Sequence, residues 1–196
     1  MVVAARAGWA PIDLARALLD GGARVLQLRA KELASGPLLE LSEALVALAG
    51  GYSASVIVND RVDVARLSRA HGVHVGQEDL PPSAAREQLG PDAIVGFSTH
   101  TVAQLEDALR EPVTYVAVGP VFGTSTKDTG YNAVGLDLVS TASRLAGSIP
   151  VVAIGGVTLD NARSAIDAGA SAVAVISDLI VGDPAERVNA LLRALE

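Results

Sequence analysis

Short apolar runs alternate with longer amphipathic segments from end to end of this chain, and that alternation narrows its fold more than any other feature. The spacing predicts strands at Val25–Leu28, Val56–Asn59, Gly72–Val75, Ile94–Ser98, Tyr115–Val118, Val151–Ile154 and Val173–Ile176. Helices are expected between and after them, at Ile12–Leu19, Pro37–Ala49, Val62–Arg69, Ser83–Leu89, Val102–Leu109, Leu136–Leu145, Leu159–Ala168 and Pro184–Leu195. Asp183-Pro184 reads as an N-cap followed by proline in the first helical position. Gly50 and Gly169 stand where helices usually terminate. Seven strands with eight helices point to a (β/α)₈ TIM barrel rather than an open sheet. The first strand is then abbreviated at Val2–Ala5, missing, or upstream of this sequence. An unpaired seam would expose backbone groups and favour association of copies of the chain.

Half of the residues are apolar but only 3% are aromatic, so the core must be made of Ala, Val, Leu and Ile. That suits strands buried on both faces beneath helices. At 196 residues, a single domain over 1–196 is expected. The net charge of −7 and the lack of a basic run argue against nucleic acid or an anionic membrane as partner. The absence of cysteine excludes thiolate catalysis and thiolate metal sites. Without a signal-like opening or a long apolar stretch, a cytoplasmic location is expected.

Only two of the fifteen basic residues are lysines, and both follow apolar runs. Gln27, Arg29 and Lys31 occupy alternating positions at one strand end and would project to one side. The next two strand ends bring Asn59-Asp60 and Glu78-Asp79. Carboxylates from successive strand ends can share a hard cation such as Mg²⁺, although either could instead cap a following helix. Ser98 closes the next strand, with His100 better suited to a structural role; His71 and His74 are expected to pack or hydrogen-bond locally. The segment VGPVFGTSTK gathers Gly119, Thr124, Thr126 and Lys127, whose hydroxyls and ammonium suit phosphate. Backbone N–H groups near Gly155, Gly156, Ile176 and Ser177 could cradle a phosphomonoester in the quadrant where barrels commonly bind one. Two anion subsites facing each other imply a transferase that joins two small phosphorylated substrates.

QLRAKE, VNDR, GVHVGQEDL, GFSTHT, GPVFGTSTK, VVAIGG and VAVIS, in that order, resemble the thiamine-phosphate synthase family from Gly22 to about Pro184. The resemblance implies transfer of a 4-amino-5-hydroxymethyl-2-methylpyrimidine group from its diphosphate to hydroxyethylthiazole phosphate, giving thiamine monophosphate and pyrophosphate. It implies that Arg29, Lys31, Asn59 and Lys127 hold pyrophosphate, that Asp60 and Asp79 position Mg²⁺, and that Gln27 binds the aminopyrimidine. Ser98 falls near the reacting ring and departing phosphate. Thr124, Thr126, Gly156, Ile176 and Ser177 would hold the thiazole and its phosphate. Arg29, Lys31, Ser98 and Lys127 are thus the expected catalytic set, acting by charge stabilisation and alignment in a dissociative substitution. Asp178 departs from the small apolar residue usual after Ser177, and would repel phosphate unless turned away. A related thiazole tautomerase and a non-catalytic phosphate-binding barrel are the competing readings.

Overall fold

A computed structural model describes residues 2–3, 8–123 and 132–196, with side chains from residue 8 onward. Eight parallel strands form one sheet in the order β1 to β8, each element paired with the next in sequence. They are β1 (Val2–Val3), β2 (Val25–Leu28), β3 (Ser55–Asn59), β4 (Gly72–Val75), β5 (Ile94–Thr99), β6 (Tyr115–Val118), β7 (Val151–Ile154) and β8 (Ala172–Ala174). The intervening and final helices are α1 (Pro11–Asp20), α2 (Ser35–Gly50), α3 (Val62–Leu67), α4 (Pro82–Leu89), α5 (Val102–Ala108), α6 (Gly135–Ala146), α7 (Ala162–Asp167) and α8 (Pro184–Leu195). This is the expected (β/α)₈ barrel architecture, and its first strand is present in abbreviated form. Val2 and Val3 pair in parallel with Gln27 and Leu28.

The parity of each strand divides the apolar core from the interior of the sheet. Leu26, Leu28, Val56, Val58, Val73, Val75 and Val95 face outward into a cluster with Leu14, Leu18, Leu38 and Leu45 of the first two helices. Val116, Val118, Val151 and Ala153 do the same in a second cluster with Leu105, Val139 and Ala142. Strand residues of the opposite parity, Gln27, Asn59, His74, Ser98 and Tyr115 among them, are therefore turned inward. The helices carry the apolar burial, which leaves the inner face free to be polar.

Several boundaries differ from expectation for local reasons. β8 stops at Ala174 instead of Ile176, because Ile176 turns (φ −127°, ψ −80°) into a short 3₁₀ helix at Ser177–Ile180 that buries Leu179. α7 begins at Ala162 rather than Leu159 because Asn161 ties the preceding turn together. Its Oδ1 accepts from Thr158 N–H at 2.8 Å and its Nδ2 donates to Gly156 C=O at 3.0 Å. Gly169 has the left-handed φ (+101°) expected after α7, whereas Gly50 lies within the last turn of α2 and Gly51 follows at φ −67°. Asp183 caps α8 as expected, accepting from Glu186 N–H at 2.9 Å.

Candidate active site

Three adjacent strand ends bring charge together at the mouth of the barrel. Beyond β2, the Lys31 ammonium lies 2.6 Å from the Asp60 carboxylate beyond β3. Asp60 is held at φ +63° in a tight turn closed by Arg61 N–H donating to Asn59 C=O, and its own N–H donates to His74 C=O of β4. Beyond β4, Asp79 folds back and accepts from Gly76 N–H at 2.7 Å. It does not cap α4, whose N-cap is Pro81. Burial pushes the Asp79 carboxyl above its ordinary pKa, and the Gly76 hydrogen bond opposes that rise. Asp60 adds to it as a neighbouring charge and hydrogen-bond partner, while Lys31 pulls the other way. Two acids and one ammonium thus share a small volume. A cleft of about 170 Å³ beside them is lined by Leu28, Leu33, Leu38, Lys31, Asn59 and Asp60.

The donor set suits a hard divalent cation. Burial first, and the neighbouring Asp60 carboxylate second, disfavour ionisation of Asp79, a cost that a cation shared by the two acids would offset. Among the described residues no group of three or more His, Asp or Glu side chains forms a closed cage. A cation held by two carboxylates must complete its shell with water and substrate oxygens, as Mg²⁺ commonly does. Arg61 also lines the cleft, but its guanidinium is committed to the scaffold, bonding Asp63 at 2.8 and 2.6 Å and Ser35 at 3.1 Å.

Inside the sheet lies a polar cluster that spans four strands. His74, only 6% exposed, contacts the Tyr115 hydroxyl through Nδ1 at 2.9 Å and the Ser98 hydroxyl through Nε2 at 2.7 Å. The His74 and Tyr115 rings stack at 5.6 Å between centroids with 23° between planes. Burial raises the Tyr115 phenol, and the Gln27 side chain of β2 opposes that rise. Gly96 makes the stack possible. A Cβ there would lie 2.1 Å from Tyr115 Cζ and 2.6 Å from His74 Nδ1. Gln77 donates to Ser98 C=O at 2.7 Å, which pins the end of β5.

Gln27 and Ser98 were legible as candidates from sequence; Tyr115 was not, and His74 was expected only to bond locally. The available signals were a histidine inside the otherwise apolar run of β4 and a glycine in β5. The other histidines serve the scaffold. His71 Nδ1 accepts from Val56 N–H at 3.0 Å, and His100 Nδ1 bonds Gly119 C=O.

Across the mouth, Gly155 and Gly156 follow β7 with φ of +92° and +67°. A Cβ on Gly156 would meet Gly123 C=O at 2.6 Å, so the turn requires glycine. Ile176 and Ser177 stand nearby in sequence after β8, at the start of the 3₁₀ helix. The Asp178 carboxylate is turned away and clamped. It accepts from Leu159 N–H at 3.0 Å and from Arg187 Nε and Nη2 at 2.9 and 2.7 Å. Its negative charge is thereby committed to α8. Thr124, Thr126 and Lys127 lie outside the described residues. Arg29 is half-buried one position beyond β2.

Comparison with known proteins agrees with this arrangement. Residues 2–179 match the family model described as thiamine monophosphate synthase. A thiamine-phosphate synthase of Chlorobium phaeovibrioides is 46% identical over 188 residues, covering 95% of this chain and 89% of the relative. That of Roseiflexus castenholzii is 44% identical, covering 92% and 79%. The solved structure of a thiamine phosphate pyrophosphorylase from Pyrococcus furiosus superposes with a TM-score of 0.91 at 31% identity, covering 99% of this chain and 93% of that one. With the barrel, the charged cluster and these relatives in agreement, the chain belongs to the thiamine monophosphate synthase family.

Proposed function

We propose that this chain, read as one domain over residues 1–196, joins 4-amino-5-hydroxymethyl-2-methylpyrimidine diphosphate to hydroxyethylthiazole phosphate, releasing pyrophosphate and forming thiamine monophosphate. The observation that carries the proposal is the convergence of Lys31, Asp60 and Asp79 from three adjacent strand ends. Such a cluster answers the charge of a diphosphate. An isomerase acting on thiazole phosphate alone would leave it without a task.

In this reading Arg29, Lys31, Asn59 and Lys127 hold the diphosphate. Asp60 and Asp79 hold Mg²⁺, which supplies charge neutralisation to the departing pyrophosphate when bound. Gln27 accepts from the pyrimidine amino group, and Ser98 donates to the leaving group. Thr124, Thr126, Gly156, Ile176 and Ser177 receive the thiazole and its phosphate. Bond breaking at the pyrimidine methylene leaves a cation stabilised by the aminopyrimidine, to which the thiazole nitrogen adds. No protein base is needed, so the side chains act by orientation and electrostatics.

No helix among the described residues is long and apolar enough to cross a membrane. Multiply charged substrates suit the cytoplasmic location expected from sequence, and the short β1 leaves association of copies as part of the reading. The test is to supply purified protein with both substrates and Mg²⁺ and to follow pyrophosphate and thiamine monophosphate together. Equal, simultaneous release is expected. Absence of both from folded protein would overturn the proposal.

A further inference from the structure

The loop after β7 is held by different means on its two flanks. Pairing of β7 with β8 ends at Ile154 opposite Ala174, before either segment of the monophosphate cradle begins. On the β6 flank the backbone takes over: Val121 N–H donates to Ile154 C=O at 2.8 Å, and Phe122 N–H to Gly155 C=O at 3.0 Å. On the β8 flank a side chain does so. Asp178, one residue beyond Ser177, reaches back with Oδ2 and accepts from Leu159 N–H at 3.0 Å. Asn161 carries that grip to the glycines, accepting from Thr158 N–H and donating to Gly156 C=O. Gly156 already abuts the β6 side, where a Cβ would lie 2.6 Å from Gly123 C=O.

Charge explains why the clamp has a second member. A carboxylate this close in sequence to a phosphate cradle would repel the ligand if left unpaired. The Asp178 side chain is only 9% exposed, and Arg187 of α8 meets both of its oxygens, Nη2 on Oδ1 and Nε on Oδ2. A bidentate pair fixes the plane of the carboxylate as well as offsetting its charge. Leu179, buried beside it, anchors the same turn.

We propose that Asp178 and Arg187 are positioning residues for the thiazole-phosphate half of the site. The carboxylate keeps the Ser177 turn in register with the Gly155–Gly156 loop, and the guanidinium orients that carboxylate and cancels its charge. The inference rests on the functional reading above, and it adds a task for two side chains otherwise spent on the scaffold. None of the clamp's bonds runs to Lys31, Asp60 or Asp79, which serve the diphosphate in that reading. Its loss therefore acts on one substrate and spares the other.

Two-substrate kinetics of the intact protein, at a temperature where circular dichroism shows each variant folded, test the assignment. Asp178→Ala should raise KM for hydroxyethylthiazole phosphate about tenfold and leave KM for the pyrimidine diphosphate within about twofold. Equal rises in both KM values, or a fall in kcat alone, reflect general loss of structure and overturn the positioning role. Two double variants isolate the bond to Leu159. Asp178→Asn with Arg187→Met keeps an uncharged acceptor for the Leu159 N–H, and should hold KM for the thiazole phosphate within about threefold of wild type. Asp178→Leu with Arg187→Met has no acceptor, and should show the full tenfold rise. Equal behaviour of the two overturns the register role. Calorimetry with hydroxyethylthiazole phosphate alone separates this inference from the functional reading. Wild type that binds the ligand but does not turn over defeats that reading, while the Kd ratio of the two double variants still decides the clamp. Wild type that does not bind it overturns both.

Discussion

On the β2–β4 side of the mouth, Lys31, Asp60 and Asp79 remain crowded together, and burial, with the Asp60 charge beside it, raises the cost of ionising Asp79. On the β7–β8 side, Asp178 is drawn away from the mouth and tied to Arg187 and the Leu159 amide. One side keeps charge where a ligand can complete it; the other removes charge so that backbone and glycine geometry can act. The difference teaches that a carboxylate at a strand end has no fixed meaning. Its partners decide whether it belongs to the ligand or to the scaffold.

The strongest way to test that contrast is Lys31→Ala beside Arg61→Ala. Loss of Lys31 should reduce kcat/KM about a hundredfold, or ~2.7 kcal/mol, measured by pyrophosphate release. Arg61→Ala should leave the rate within about twofold, because its guanidinium is committed to Asp63 and Ser35. Equal losses would break the distinction between a ligand-facing cation and a scaffold cation. Next in size, Asp178→Ala should lower unfolding stability by about 2–3 kcal/mol in urea, since Arg187 and the Leu159 amide lose their partner. A double variant with Arg187→Ala should lose little more than either single change.

Asp79→Asn sharpens the contrast from the opposite direction. In metal-free protein it should raise stability by about 0.5 kcal/mol by removing a charge that burial and the Asp60 carboxylate both disfavour, while weakening Mg²⁺-dependent turnover. A loss of stability would show that the crowding is already relieved within the chain. The smallest expected effect belongs to Asp63→Asn, under about 0.5 kcal/mol, because the pair with Arg61 is exposed. Arg61 lowers the Asp63 pKa, so its contribution is complete above the ordinary carboxylate value and fades as pH falls through the lowered one. Urea midpoints taken from neutral pH downward should therefore converge with the variant in acid.

The barrel was legible because β2, β4, β6 and β7 are apolar runs bounded by turn residues, and all four match their expected limits. Apolar pattern failed at Val175-Ile176, where burial continues while the backbone leaves the sheet. It also failed at Leu159–Asn161, where side-chain bonds from Asn161 replace helical ones. In the candidate site, Asp60, Asp79 and Lys31 stood out because charges immediately follow apolar strands. Tyr115 did not, because an aromatic at a strand start has the same appearance whether it faces the helices or the interior. Only the pairing of β4 with β5 and β5 with β6 puts His74 opposite Gly96 and Gly96 opposite Tyr115.

Asp60 carries one more consequence, in its left-handed backbone. A side chain in that conformation costs on the order of 1 kcal/mol, which glycine would not incur. Laboratory selection for heat resistance alone would therefore reward Asp60→Gly, and with it the loss of a carboxylate that the reaction is proposed to need. Libraries built on this scaffold should hold position 60 fixed or score turnover in every round, since at this position durability and chemistry are selected in opposite directions.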